Sequence, residues 1–155
     1  MTPQDLRDRT RAFSTRVKRF SKPLLRNLET RDAAVQLRRA ARGTAANYRA
    51  TCLSRSHAEF VARISVALEE ADESWFWLLD LADAPVSDQS ELVALTDEAH
   101  QLVKILGKSV STARANEYQL PRRRRARADE RLRPRRPSGQ RRLREGKQGE
   151  KRDSQ

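Results

Sequence analysis

Apolar residues in this chain recur at alternating steps of three and four along four separate stretches, the spacing that puts each set on one side of an α-helix. The first set is Leu6, Thr10, Phe13, Val17, Phe20 and Leu24, and the second is Ala34, Leu37, Ala41, Ala45, Tyr48 and Cys52. The third runs Phe60, Ile64, Ala67, Ala71, Trp75, Leu78 and Ala82, and the fourth Leu92, Leu95, Ala99, Leu102, Leu106, Val110 and Ala113. A helix with one apolar stripe cannot bury it alone, and the last three helices are joined by only a few residues, which makes neighbours antiparallel. The pattern predicts an all-α fold, an antiparallel up-down-up-down four-helix bundle. A long helical hairpin that dimerises is the structural alternative.

Local signals mark the helix ends. Thr2 and Pro3 read as a cap and first-turn pair, and Ser56 with Glu59 has the S-x-x-E arrangement of a capping box. Pro85 ends the third helix, and Ser87 and Asp88 precede the fourth. Pro23 predicts an end or irregular turn between about Ser21 and Thr30, because a proline inside a helix removes a hydrogen bond. After Leu120 the composition changes to an arginine-rich segment with three of the six prolines and almost no apolar residue. Residues 1–120 are thus expected to form the bundle and residues 121–155 a disordered basic tail, which cannot bury enough surface to fold alone.

Several classes of chemistry find no support. Cys52 is the only cysteine, which excludes an internal disulfide and a cysteine-based metal cluster, and it reads as a small core residue. Asp97, Glu98, Ala99 and His100 spell DEAH, and Gly107, Lys108 and Ser109 follow. A phosphate-binding loop would need glycine where Leu102 stands, and no strand leads into either motif. Asp97 and His100 also have the spacing used in di-metal bundles, but a second such pair is missing, since His57 has no acidic residue three positions before it. A non-enzyme without metal or cofactor is expected. No apolar run has the length of a membrane span and the first residues lack the apolar run of a signal peptide, so a cytoplasmic location is expected.

The formal charge of +12 is unevenly distributed. Residues 1–57 hold 14 Lys/Arg against 4 Asp/Glu, residues 58–120 hold 4 against 12, and residues 121–155 hold 15 against 5. On the second helix Arg31, Arg38, Arg42 and Arg49 fall about 60 to 100 degrees from the core line, at about 100 degrees per residue, and so make one row. Arg7, Arg11, Lys18 and Lys22 make a second row on the first helix, opposite Phe13. Two such rows, with Arg122, Arg123, Arg124 and Arg125 opening the tail, attract a phosphate backbone without reading its sequence; ordinary solvated faces are the alternative. Phe76 and Trp77 lie outside the stripe of the third helix. They point to contact with another copy, the basic half of one chain meeting the acidic half of the next, or to a cover supplied by the tail or the bundle ends.

Residues 36–83 resemble the four-helix-bundle proteins encoded in 23S rRNA intervening sequences. The likeness rests on the "ANYRA" stretch at Ala46 to Ala50, the "RS-x-AEF" helix start at Arg55 to Phe60 and the "ALEEADE" run at Ala67 to Glu73. It extends more weakly over residues 5–115. The resemblance implies a four-helix bundle and a pentameric ring. It also implies kinship with the accessory variability determinant of diversity-generating retroelements, a basic ring that binds nucleic acid and a reverse transcriptase. The expected function is a non-catalytic homo-oligomeric module that binds RNA or DNA with low sequence specificity. A scaffold that binds a protein partner is the alternative.

Overall fold

The computed structural model describes the backbone of residues 1–132 and the side chains of residues 1–116. Four helices follow in order: α1 Pro3–Leu24, α2 Arg31–Thr51, α3 His57–Asp80 and α4 Gln89–Leu132, with one 3₁₀ turn, Leu81–Asp83, between the last two. The cap expected for α1 is present in both directions. The Asp5 amide donates to Thr2 Oγ1 at 3.1 Å and the Thr2 amide to the Asp5 carboxylate at 2.7 Å. These bonds to the charged form hold the Asp5 carboxyl below its ordinary pKa, the Thr2 amide contributing most. At α3 the box is opened out: Ser56 Oγ accepts from the Glu59 amide at 3.1 Å, but Glu59 reaches past Ser56 to the Arg55 amide at 2.9 Å.

Pro23 stands in the last turn of α1, where its missing N–H shortens the helix by little, and the chain leaves the helix after Leu24. The buried Thr30 hydroxyl then donates to the Leu24 carbonyl at 2.8 Å, which also accepts from the Asn27 amide at 3.2 Å, so the turn after α1 is tied back to the helix end. Tyr48 Oη approaches the Pro3 carbonyl at 3.5 Å near the other end of the pair, so α1 and α2 run antiparallel along their whole length. Trp75 stacks on His100 with ring centroids 4.5 Å apart, and His57 Nε2 lies 2.8 Å from the Ala113 carbonyl, which fixes α3 against α4 in the same sense. The helices close in the order α1–α2–α3–α4, with a shorter seam between α4 and α1.

One interior receives all four stripes. Phe13, Leu37, Ile64, Leu78, Leu95, Leu102 and Leu106 are each almost completely buried, and every stripe residue expected on α4 is inside. Five expected core residues are not. Cys52 is exposed, because α2 ends at Thr51 and the cysteine is already the capping residue beyond it. Ala82 is exposed and Leu81 is buried in its place, because the 3₁₀ turn changes the angular step after Asp80. Ala45, Phe60 and Trp75 are only half-buried. Thr44, Thr51 and Ser74 are inside instead, each hydroxyl donating to the carbonyl four residues earlier at 2.8 to 3.0 Å, so burial leaves no polar atom unmet there.

Helix α4 does not stop at Leu120. Its backbone continues through Pro121 to Leu132, over a run of Arg, Ala and Glu that favours helix. The remainder of the expected disordered tail, residues 133–155, lies outside the described residues.

Deleting a fully enclosed side chain should cost far more than changing an exposed one. Leu102→Ala is expected to lower the unfolding free energy by about 3 kcal/mol, within the usual range for a buried leucine. Cys52→Ala should stay within about 0.5 kcal/mol of the parent protein. Urea unfolding followed by circular dichroism measures both.

Candidate nucleic-acid interface

The angular position of a basic residue on α1 decides which neighbour it meets. With Phe13 at zero, Arg9 and Arg16 fall about 40 to 60 degrees to one side of the core line, and Arg7 and Arg11 about 120 to 160 degrees to the other. The first pair faces α4. Arg9 grips Glu98 through Nε at 2.6 Å and Nη2 at 2.8 Å, and its Nη2 also donates to Gln101 at 2.7 Å. Arg16 grips Glu91 in the same two-pronged way, at 3.0 and 2.9 Å. Both guanidiniums are pushed to higher pKa, chiefly by the hydrogen bonds to their glutamates. These two clamps close the α1–α4 seam and take two arginines out of use.

The second pair faces α2. Arg7 and Arg11 line a surface groove of about 540 Å³ whose other wall carries Arg42 and Arg49, with Ser14, Ala45 and Ala46 between them. The small side chains of α2 leave this space open, and the half-buried Ala45 lies in it. One carboxylate, Asp8, is also present and accepts a hydrogen bond from Gln4 Nε2 at 2.9 Å. Among the described residues, no carboxylate lies within ion-pair distance of Arg7, Arg11, Arg42 or Arg49. Four guanidiniums therefore share a concave strip with charge to spare, an arrangement suited to successive phosphates of a polyanion.

Half of the eight helical residues expected at a nucleic-acid site thus come together in the groove. Arg31, Arg38, Lys18 and Lys22 do not line it. They belong to the same two rows, nearer the α1–α2 turn, with Arg38 half-buried and the other three exposed. Arg122, Arg123, Arg124 and Arg125 have helical backbone in α4, and their side chains lie outside the described residues. The clamps were not foreseen from the sequence. Their signal was there: Arg9 and Arg16 are seven apart, as are Glu91 and Glu98, two turns on each of two antiparallel helices.

Three of the four letters of the DEAH run have structural work. Asp97 is exposed, Glu98 holds Arg9, Ala99 is core and His100 lies flat on Trp75 at an interplanar angle of 6°. Among the described residues, no group of three or more His, Cys, Asp or Glu side chains is placed to hold a metal ion, and no helix is long and apolar enough to cross a membrane. Phe76 is 56% exposed, in keeping with its angular position outside the stripe of α3. Trp77 is less free than its position in the sequence suggests. It is half-buried, packs on the core, and donates from Nε1 to Glu73 at 3.2 Å while meeting Phe76 edge to face at 4.9 Å.

The fold has a solved counterpart. A crystal structure of a protein of unknown function from the S23 ribosomal protein family of Bacteroides thetaiotaomicron is similar at a TM-score of 0.65 and 22% identity, covering 72% of this chain and 99% of that one. At that identity the likeness concerns the fold. No protein-family model and no curated protein matches this chain.

The two classes of arginine should separate in a stability measurement. Glu91→Gln and Glu98→Gln together are expected to lower stability by about 1 to 2 kcal/mol, since each removes half of a partly buried two-pronged pair. Arg42→Gln and Arg49→Gln together should leave it within about 0.5 kcal/mol. Thermal unfolding of the two double variants distinguishes them.

Proposed function

We propose that this chain is a non-catalytic nucleic-acid-binding protein, with RNA the foremost ligand, that holds the phosphate backbone in the α1–α2 groove with low sequence specificity. The observation that carries this reading is the convergence of Arg7, Arg11, Arg42 and Arg49 on one groove without a carboxylate partner among the described residues. The groove lining contains no aromatic side chain on which a base would stack, so binding through backbone charge is the chemistry it supports. Arg31, Arg38, Lys18 and Lys22 extend the positive field along the same helix pair, and residues 121–155 add 15 Lys/Arg, Arg122, Arg123, Arg124 and Arg125 among them, to the total. The finer resemblance to 23S rRNA intervening-sequence proteins, with a pentameric ring, a cytoplasmic location and kinship to the retroelement accessory protein, belongs to the same proposal. The fold shared with a structure from the S23 ribosomal protein family supports it at the level of architecture.

A second reading is favoured by one observation, the exposed Phe76 beside the exposed Leu79. On that reading the chain is a homo-oligomeric scaffold in which Phe76 and Trp77 meet another copy or a protein partner such as a reverse transcriptase, and the basic groove has no ligand of its own.

The two readings part in a salt titration of RNA binding by the full chain. Replacing Arg7, Arg11, Arg42 and Arg49 by Gln is expected to weaken binding at low salt by at least about tenfold. It should also reduce the slope of log affinity against log salt by roughly 2 to 3, since each lost phosphate contact removes about 0.7 from the slope for a single strand. Affinity and slope equal to those of the parent protein would reject the groove as the site.

A further inference from the structure

The outer face of α3 carries apolar surface that its own bundle does not cover, ringed by carboxylates. Phe76 and Leu79 are 56% and 47% exposed and lie three apart, hence neighbours on one face of the helix. Glu69, Asp72, Glu73 and Asp80 surround them in sequence, and among the described residues none of the four is in an ion pair. Any occupant of this face needs an apolar anchor flanked by cations. Residues 133–155 hold 9 Lys/Arg against 3 Asp/Glu, and their sole aliphatic side chain is Leu143, set between Arg141, Arg142 and Arg144. We infer that the Arg141–Arg144 segment of a second copy of this chain docks on the α3 face at Phe76 and Leu79.

The source of the segment follows from lengths. Ala113 lies level with His57, joined through the 2.8 Å contact, and from there α4 runs away from the bundle to Leu132 while Phe76 lies the other way. Nineteen residues separate each pair, His57 from Phe76 and Ala113 from Leu132, which is about 28 Å in each direction at 1.5 Å per residue. The gap from Leu132 to Phe76 is then about 57 Å, and a bend of some tens of degrees at Pro121 shortens it only to about 50 Å. The 11 residues from Leu132 to Leu143 span at most about 40 Å fully extended. The segment therefore cannot return to its own α3 and reaches that of a neighbour. Opposite net charge favours the encounter, since residues 58–120 carry 12 Asp/Glu against 4 Lys/Arg. Because tail and face lie at opposite ends of each chain, the link is head-to-tail and repeats from copy to copy.

The test is self-association of the full chain, freed of nucleic acid and followed by sedimentation over a range of protein concentrations. The expected result is association that weakens as salt is raised. Phe76→Ser should weaken it by at least about tenfold, as should Leu143→Ser combined with Arg141→Gln, Arg142→Gln and Arg144→Gln, with no further loss when the two sets are joined. Phe76 is outside the core, and unchanged helical circular dichroism checks the fold of every variant. Association unaffected by the tail substitutions would overturn the inference in favour of bundle-to-bundle contact. A monomer at every concentration would overturn it as well.

Discussion

Burial of Phe13, Leu37, Ile64 and Leu102 in one interior sets the rotation of each helix about its own axis, and every surface feature of the molecule inherits that rotation. A helix with one apolar stripe has a single orientation that removes the stripe from water, worth about 1.5 to 3 kcal/mol for each large side chain. Once α1 is turned so that Phe13 and Val17 point inward, Arg9 and Arg16 must face α4, and Arg7 and Arg11 must face α2. The small residues of α2 complete the effect. Ala33, Ala34, Ala40 and Ala41 let the neighbouring helices come close, while Ala45 and Ala46 leave room on the α1 side for a groove.

Arginine consequently has two separate jobs on the same helix. Where a glutamate two turns along α4 matches its spacing, the guanidinium is consumed in a two-pronged bond that closes the sparsest of the four seams between neighbouring helices. Where the opposite wall supplies more arginine instead, the charge remains for a ligand. The helix that has so many cations can carry both sets because they sit on opposite flanks of the core stripe.

Much of this was legible in the sequence, and the gaps have identifiable causes. Stripe residues in helix interiors went where their spacing put them, throughout α4 and in α1 from Leu6 to Leu24. The expected core residues that are exposed lie at helix ends: Cys52 is one residue past the end of α2, and Ala82 falls in a 3₁₀ turn whose step differs from that of an α-helix. Ala45 and Trp75, inside their helices, are half-buried. Thr44, Thr51 and Ser74 were missed because a hydroxyl bonded to the preceding turn buries as readily as a methyl group, a fact polarity scales hide. The basic rows were visible by angle alone, but their division into Arg42 and Arg49 inside the groove and Arg31 and Arg38 outside it depended on the offset between α1 and α2. Trp77 looked free because angle says nothing of a large ring folding back along its helix onto the core.

The division of α1 and α2 arginines into clamps and groove residues is most directly tested by the Nε–Hε resonances of individual arginines during titration with a short RNA strand. Shifts confined to Arg7, Arg11, Arg42 and Arg49, with Arg9 and Arg16 unmoved beside their glutamates, are the predicted result. Equal movement of Arg9 and Arg16, or stillness of all four groove resonances at saturating RNA, would contradict the account.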